Sequence, residues 1–175
     1  RHAEDLELTW APCSAKVRGM KTIPLAVPVV VLLIVVAATA SAQTRFVEET
    51  QFGKVVGTTS STLPPQAGNS YAPGKLMDGD VRTAWVEGAA GDGIGEWMKV
   101  TYDSPMKIKR IYFANGYGKT DKSYRENGRI REAEISTEAG SFTTTLPDKN
   151  GEQTIPLPAS MAGKKTRWVK LTIKS

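Results

Sequence analysis

The most reactive side chains of this 175-residue chain are few and stand at its beginning. The sequence holds one Cys and one His, which are Cys13 and His2. From residue 14 onward no Cys/His nucleophilic pair, Ser-His-Asp triad, His or Cys zinc site or disulfide can be built. The remaining part of the chain can work with carboxylates, hydroxyls, Lys, Arg and aromatic rings, or can bind without catalysis.

Oxygen ligands for a hard cation are concentrated in residues 76–85. Asp78, Asp80 and Thr83 supply carboxylate and hydroxyl oxygens, and Gly79 allows a sharp turn between the two Asp. Ca²⁺ accepts such oxygens. The spacing is not that of the twelve-residue helical calcium loop, which needs a Glu at a later position. The segment is therefore a candidate Ca²⁺ site, and an Asx-type turn leading to a buried Trp85 is the alternative.

A glycine-rich segment follows at residues 87–96 (EGAAGDGIGE). A phosphate-binding loop needs Gly-Lys-Ser/Thr before a helix, whereas this segment leads into a strand pattern. We therefore expect a loop that needs positive φ at several glycines, with Glu87 as a further candidate ligand residue.

Aromatic, amide and cationic side chains are concentrated in residues 115–129. Aromatic faces beside amide and Arg donors are typical of sites for sugars or other polar ligands, because ring faces stack while hydroxyls are hydrogen-bonded. The alternative is a solvated loop in which Tyr117 covers the end of the core and Asn127 makes a turn. The candidate ligand-binding residues are Tyr117, Lys119, Tyr124, Asn127 and Arg129, with Glu87 next.

Loop carboxylates also allow the hypothesis of a small glycosidase, which needs two suitably separated acids. A domain of this size offers little room for a deep substrate cleft, so this reading ranks below binding without catalysis. The candidates are Glu87, Asp92, Glu96, Asp121 and Glu126.

The elements that must position these loops are strands. From residue 43 onward no 3.6-residue periodicity persists, and short alternating runs are separated by Gly, Pro, Asn and Asp. The slip in apolar phase between Ile108 and Ile111 indicates a bulge. The pattern predicts an all-β sandwich with a helical turn near 73–77 and strands at 54–63, 96–102, 107–114, 130–137, 141–146, 153–157 and 167–173.

The N-terminal part is typical of a targeting segment. Met20 is followed by Lys21, an apolar run and the small residues Ala40 and Ala42, which fits a cleaved signal peptide at 20–42. The uncharged stretch 23–42 could alternatively remain as a membrane anchor. On this interpretation residues 1–19 are upstream sequence, 43–53 are a leader, 54–175 are the domain, and the protein is secreted or periplasmic.

Several short motifs in this order resemble the discoidin-like domain (coagulation factor 5/8 type C) found beside bacterial NAD glycohydrolase toxins. The resemblance implies a jelly-roll β-sandwich that binds a ligand, commonly a glycan, with loops at one end, and that is not the enzyme. It also implies a structural Ca²⁺ at Asp78, Asp80 and Thr83, and a closing strand beyond Ser175. The motifs lie at 60–65 (SSTLPP), 69–71 (NSY), 76–80 with 83–85 (LMDGD, TAW), 91–97 (GDGIGEW) and 115–117 (NGY).

Together these observations predict an exported, non-catalytic and monomeric carbohydrate-binding module. Its partner is a glycan or cell-surface carbohydrate, and it meets the membrane only if residues 23–42 stay uncleaved. The alternative is a protein-interaction or scaffold module of the same fold, tethered by that segment. Nucleic acid is not expected as a partner, because the positive charge is spread along the chain instead of clustered in runs.

Overall fold

The computed structural model describes residues 6–14, 44–50 and 53–175. The predicted signal segment 20–42 lies outside them, and within them no helix is long and apolar enough to cross a bilayer. The described elements are β1 (Leu6–Ser14), β2 (Thr44–Thr50), β3 (Gly53–Thr59), a 3₁₀ turn (Pro73–Leu76), β4 (Trp85–Val86), β5 (Trp97–Asn115), α1 (Asp121–Glu126), β6 (Glu132–Thr137), β7 (Gly140–Thr145), β8 (Glu152–Pro156) and β9 (Lys165–Ile173).

The strands form the two layers of a sandwich. The front layer is antiparallel with the order β2-β3-β5-β9-β6-β7. The second half of β5 belongs to the back layer, where it pairs antiparallel with β8 and parallel with β1, which also pairs with β4. The predicted all-β sandwich is confirmed.

Strand β5 joins the two layers because it turns a corner midway. Its pairing with β9 shifts register between Thr101 and Met106, which is where the two predicted strands 96–102 and 107–114 run together. Beyond the corner, Lys109 and Arg110 are both exposed between buried Ile108 and Ile111. The pairing with β1 skips Lys109, since Leu6 pairs with Ile108 and Glu7 with Arg110, and the bulge predicted from the apolar phase is therefore confirmed.

The core lies between the layers and follows the alternation of the strands. In β9, Val169, Leu171 and Ile173 are each at most 1% exposed, while the residues between them face outward. Trp85 is fully buried, and its indole Nε1 donates to the carbonyl of Ser61 at 3.1 Å. The interpretation of Trp85 as a core residue is confirmed.

Two segments outside the predicted domain also form strands. The segment 43–53, interpreted as a leader, contains β2, which pairs along its whole length with β3. Its polar composition is explained by its place as an edge strand, where side chains such as Glu48 and Glu49 stay exposed. Residues 6–14, interpreted as upstream sequence, form β1 beside β5.

Tyr102 on β5 carries a polar group into this core. Its side chain is 8% exposed, its hydroxyl has no hydrogen-bond partner among the described residues, and burial raises its pKa. Because an unpaired buried hydroxyl costs about 1–3 kcal/mol, Tyr102→Phe should leave the free energy of unfolding unchanged or raise it by about 1 kcal/mol. Urea unfolding of the two proteins measures this, and a clear loss of stability would show that the hydroxyl has a partner.

The sandwich has two distinct ends. At the loop end, β3 ends at Thr59, β5 begins at Trp97 and β9 ends at Ile173. At the opposite corner end, β5 turns between Thr101 and Met106, and Lys107 pairs with Lys165 at the start of β9. The loop end carries the long connections 60–72, 87–96, 116–131 and 146–151.

Candidate ligand-binding site

A cleft of about 570 Å³ opens at the loop end. One wall is the glycine-rich loop, and the other is the turn that follows α1. Ile94, on the first wall, is 65% exposed, more than any other large apolar side chain that the structure describes. The residues that line the cleft are Asp92, Ile94, Arg125, Glu126, Asn127, Gly128, Arg129, Arg131, Ile173 and Ser175.

Glu87 is buried beneath the glycine-rich loop and supports it. Its side chain is fully buried, and its Oε2 accepts the backbone N–H of Ala89 at 2.6 Å. A Cβ at Gly93 would lie 2.8 Å from Glu87 Cγ, and Gly93 has φ +67°. The structure therefore places Glu87 beneath the loop that presents Asp92 and Ile94 instead of placing it in the cleft.

Glu96 is also occupied within the protein. Its Oε2 accepts hydrogen bonds from the hydroxyls of Ser60, at 2.7 Å, and of Ser61. These bonds tie the end of the glycine-rich loop to the segment that leaves β3. Of the candidate carboxylates, only Asp92 and Glu126 line the cleft.

The second wall depends on the short helix α1. The Thr120 hydroxyl accepts the backbone N–H of Ser123 at 3.0 Å and caps the helix at its start. At its end, Asn127 Nδ2 donates to the carbonyl of Ser123 at 2.7 Å. Asn127 therefore makes the turn that the sequence analysis kept as an alternative, and it also lines the cleft.

Arg129 fixes the turn after α1. Its Nη1 donates to the carbonyls of Tyr124, at 2.7 Å, and of Asn127, at 2.8 Å. Its Nε lies 2.7 Å from Asp148 Oδ1, and its guanidinium covers the Tyr124 ring with Cζ 4.9 Å from the centroid. One face of Tyr124 is thus taken by Arg129.

Tyr124 and Asp148 shift each other's pKa. Burial, followed by the hydrogen bond of 2.8 Å to Asp148, raises the pKa of the Tyr124 hydroxyl to about 12. The hydrogen bonds from Tyr124 and then Arg129 hold the pKa of Asp148 below its usual value. At neutral pH the Tyr124–Arg129–Asp148 cluster therefore holds a neutral phenol and a charged ion pair.

Asn115 and Gly116 form the base on which this cluster rests. Asn115 is 2% exposed, and its amide bonds both backbone groups of Ile130: Nδ2 donates to the carbonyl at 2.7 Å and Oδ1 accepts the N–H at 3.0 Å. Gly116 has φ +89°, and a Cβ there would lie 2.7 Å from Arg129 Cγ. Only glycine fits this position without moving Arg129.

Tyr117 and Lys119 form a separate cluster around Asn69. The Tyr117 hydroxyl and the Lys119 ammonium both donate to Asn69 Oδ1, at 3.3 and 2.9 Å. Tyr117 is 9% exposed and packs edge-on against Tyr71, and burial, followed by the neighbouring Tyr71, raises its pKa. The structure therefore gives Tyr117 the position at the end of the core that the sequence analysis kept as an alternative.

The structure thus brings together three of the six predicted ligand residues: Tyr124, Asn127 and Arg129. Sequence reasoning missed Arg125, Arg131 and Ile94 in the cleft, and Asp148 behind it. Asp148 follows β7 and is far from Arg129 in the chain. No local sequence pattern could therefore have predicted their contact. The apolar Ile94 stands between two glycines in an expected loop, and this pattern could have identified it as a candidate site residue.

The predicted cation site is closed by side chains of the chain itself. Arg82 holds both oxygens of Asp80, with Nε to Oδ1 and Nη2 to Oδ2 at 2.9 Å each. These bonds lower the pKa of Asp80 to about 2. Asp78 Oδ2 accepts the Thr83 hydroxyl at 2.7 Å and lies 3.3 Å from Lys75 Nζ.

The donor set at this loop therefore does not fit Ca²⁺ as it is arranged. Two internal cations already balance the two carboxylates, and the described residues contain no cluster of three or more His, Cys, Asp or Glu suited to a metal. Bound Ca²⁺ would have to displace Arg82. The calcium site stays a prediction that this geometry does not favour.

The melting temperature should accordingly be the same in millimolar Ca²⁺ and in chelator, because a ligand stabilises only the state to which it binds. Differential scanning calorimetry of the wild-type chain measures this directly. Arg82→Ala serves as the comparison, since it frees Asp80. A rise in the melting temperature of the wild type with Ca²⁺ would contradict this expectation and support the predicted metal site.

Comparison with known proteins supports the fold and the family. Residues 49–175 match the model of the NAD glycohydrolase translocation F5/8 type C domain. Two curated relatives are alpha-(1->3)-arabinofuranosyltransferases, one from Mycobacterium tuberculosis (30% identical over 123 residues, 69% of this chain) and one from Mycolicibacterium smegmatis (28% over 112 residues, 64% of this chain). The chain spans only 8% and 7% of their lengths.

One solved structure agrees at the level of the fold, and a second is reported beside it. A mycobacterial arabinofuranosyltransferase AftD (mutant R1389S, class 1) superposes with a TM-score of 0.56 at 16% identity, covering 93% of this chain and 12% of that one. The family 32 CBM from C. perfringens NanJ in complex with galactose gives 0.49 at 16% identity, over 69% and 82% of the chains. The family match over residues 49–175 confirms the resemblance noted from the motifs, and the sandwich is of the discoidin-like kind. This chain belongs to the NAD glycohydrolase translocation F5/8 type C domain family.

Proposed function

We propose that this chain is a carbohydrate-binding module and that the glycan occupies the cleft at the loop end. The observation that carries the proposal is that three kinds of residue line one opening: the basic Arg125 and Arg131, the acidic Asp92 and Glu126, and the exposed, apolar Ile94. The cleft volume is within the range of small-ligand sites.

These groups match the surface of a sugar. Guanidinium and amide N–H groups donate to ring and hydroxyl oxygens, while carboxylates accept from hydroxyls. The apolar side chain of Ile94 provides contact for the C–H face of a ring. Asn127 and Arg129 from the predicted ligand set line the cleft, and Tyr124 acts indirectly by holding Arg129.

The relatives suggest which glycan to test first. Both curated relatives are named for the transfer of arabinofuranosyl units, so we propose an arabinofuranosyl oligosaccharide as the ligand class. We propose in addition that the domain acts outside the cytoplasm, because residues 20–42 predict export. We propose binding without catalysis, so the oligosaccharide should be recovered intact after incubation with the protein.

Isothermal titration with an arabinofuranosyl oligosaccharide tests the proposal. A shallow site of this kind should bind with a dissociation constant on the order of micromolar to millimolar. Arg125→Ala should weaken binding about tenfold, which corresponds to about 1.4 kcal/mol, the loss expected from one charge-assisted hydrogen bond.

The matched control is Lys122→Ala, which removes another exposed cation of α1 that does not line the cleft. It should bind like the wild type. Equal affinity of the wild type and Arg125→Ala would place the glycan elsewhere, and hydrolysis that disappears in Glu126→Gln would favour the glycosidase alternative.

A further inference from the structure

Strand β7 is an edge of the front layer, which ends at β2 on one side and at β7 on the other. β7 pairs with β6 over its whole length, from Gly140 opposite Thr137 to Thr145 opposite Glu132, without a shift in register. On its other side, no strand within the described ranges pairs with it. A regular edge strand of this kind can pair with a strand of another chain.

β7 lacks the residues that usually protect a sheet edge. Edge strands of natural proteins commonly carry charged side chains, Pro or a bulge, which prevent pairing with other chains. At the opposite edge of the front layer, β2 presents the exposed Arg45, Glu48 and Glu49. In the back layer, the edge strand β8 contains Glu152 and Pro156. The sequence of β7 is GSFTTT, with neither a charge nor a Pro, so this edge is open to pairing where those two are not.

The register of β7 shows which of its backbone groups point outward. Bonded and non-bonded residue pairs alternate along an antiparallel ladder. The N–H of Leu146 bonds the carbonyl of Arg131, so the adjacent pair at Thr145 is a non-bonded one. By the same alternation, the N–H and C=O groups of Ser141, Thr143 and Thr145 point away from β6. All three residues are exposed, and their backbone groups are available to a further strand.

β7 is complementary to a second copy of itself. In an antiparallel pair with Thr143 opposite Thr143 of the second copy, Ser141 lies opposite Thr145, and each of these pairs exchanges both N–H···O bonds. Their side chains form Thr–Thr and Ser–Thr cross-strand pairs, which are favourable, and no like charges meet. On the other face of the strand, Phe142 is only half-buried against the core, and the second strand would cover it further.

We propose that two copies of this chain associate by antiparallel pairing of their β7 strands, which joins the two front layers into one continuous sheet. A two-fold contact brings the same patch of both chains together. An uncharged strand suits such a contact because none of its residues meets a like charge on the other copy. The dimer replaces the monomer expected from the sequence, and this inference does not depend on the glycan proposal.

A dimer held by one strand of each chain is weak. β7 has six residues, and a pair of such strands buries less surface than the roughly 1,600 Å² of a standard protein–protein interface. We therefore expect a dissociation constant on the order of 100 µM. The chain should be a monomer in dilute solution and a dimer at high concentration.

Pairing through β7 leaves the cleft of each copy accessible, because no residue of β7 lines it. The strand runs toward the loop end, where Thr145 precedes the connection 146–151. In an antiparallel pair the two loop ends therefore point in opposite directions. If the cleft binds a glycan, the dimer holds two binding sites at its two ends and gains avidity for a ligand that reaches both.

Sedimentation velocity of the full chain, without any glycan, tests the proposal. The wild type should be mainly monomeric at about 10 µM and mainly dimeric at about 500 µM. Thr143→Lys places two ammonium groups opposite each other on the two-fold axis, so the dissociation constant should rise at least about tenfold. The matched control is Thr154→Lys, which makes the same change at an exposed position of the edge strand β8 and should dimerise like the wild type.

Hydrogen exchange of the wild type gives a second readout that needs no variant to fold. The amides of Ser141, Thr143 and Thr145 should be protected in the concentrated sample and exchange freely in the dilute one. A wild type that stays monomeric in the concentrated sample, a dimer that survives Thr143→Lys, or an equal loss in Thr154→Lys would overturn the proposal. Protection of these amides in a monomer would show that another segment of the same chain covers the edge.

Discussion

Replacing Trp85 by alanine is expected to lower the free energy of unfolding by about 3–5 kcal/mol, the usual cost of removing a large buried aromatic side chain. Trp85 is fully buried, and its Nε1 lies 3.1 Å from the carbonyl of Ser61 and 3.2 Å from the Thr62 hydroxyl. The indole therefore packs in the core and also holds the segment that leaves β3.

Urea unfolding followed by far-ultraviolet circular dichroism measures this loss. Trp85→Phe is the matched variant, because it keeps most of the packing and removes only the indole donor. It should cost less than the alanine variant. A loss below about 1 kcal/mol for Trp85→Ala, which is typical of surface substitutions, would contradict the position of Trp85 in the core.

Asn115→Ala is expected to cost about 2–4 kcal/mol although the residue is polar. Its amide pairs both backbone groups of Ile130, and Ile130 is 1% exposed. The alanine variant leaves a buried N–H and a buried carbonyl without their partner, and each costs about 1–3 kcal/mol. The same unfolding measurement applies.

Asn115→Ala should also weaken glycan binding, because the Asn115–Ile130 pairing holds the strand end next to Arg129 and Arg131. The matched control is Asn150→Ala, which removes an exposed amide of the loop end and should change stability by less than about 0.5 kcal/mol. Equal stability of the two variants would mean that Ile130 finds other partners.

Most of the fold could be predicted from the alternation of apolar and polar residues along the strands. Period-two patterns in 130–137 and 167–173 correspond to β6 and β9, and Pro156 marks the end of the edge strand β8. Edge strand β2 escaped prediction because its side chains are mostly exposed and polar, which makes it look like a loop. The change of layer within β5 depends on contacts with β9 and could not be read from local sequence.

The candidate site was predictable in composition but not in arrangement. The segment 115–129 was identified by its Tyr, Asn and Arg content, yet Tyr117 became a core residue because it packs on Tyr71, which lies in another loop. Arg129 was assigned to the ligand, and it is held first by Asp148, across the gap between two loops. Contacts between loops set these roles, and a single sequence does not show which loops meet.

The distribution of charge shows the same limit. Read along the chain, the positive residues are spread out, and no run is long enough to predict an anionic partner. The register of β5 and β9 pairs Lys107 with Lys165 and so brings the short basic runs 107–110 and 164–167 together. Net charge in a sequence therefore says little about local charge until strand pairing is known.

The central claim is that a glycan binds in the cleft between the glycine-rich loop and the turn after α1. Nuclear magnetic resonance titration of the ¹⁵N-labelled chain with an arabinofuranosyl oligosaccharide tests it most directly. The account predicts saturable shifts of the backbone amides of Asp92, Ile94, Arg125, Asn127 and Arg129, with those of Lys107 and Lys165 unchanged. Shifts confined to residues outside the cleft, or no shifts at millimolar ligand, would contradict it.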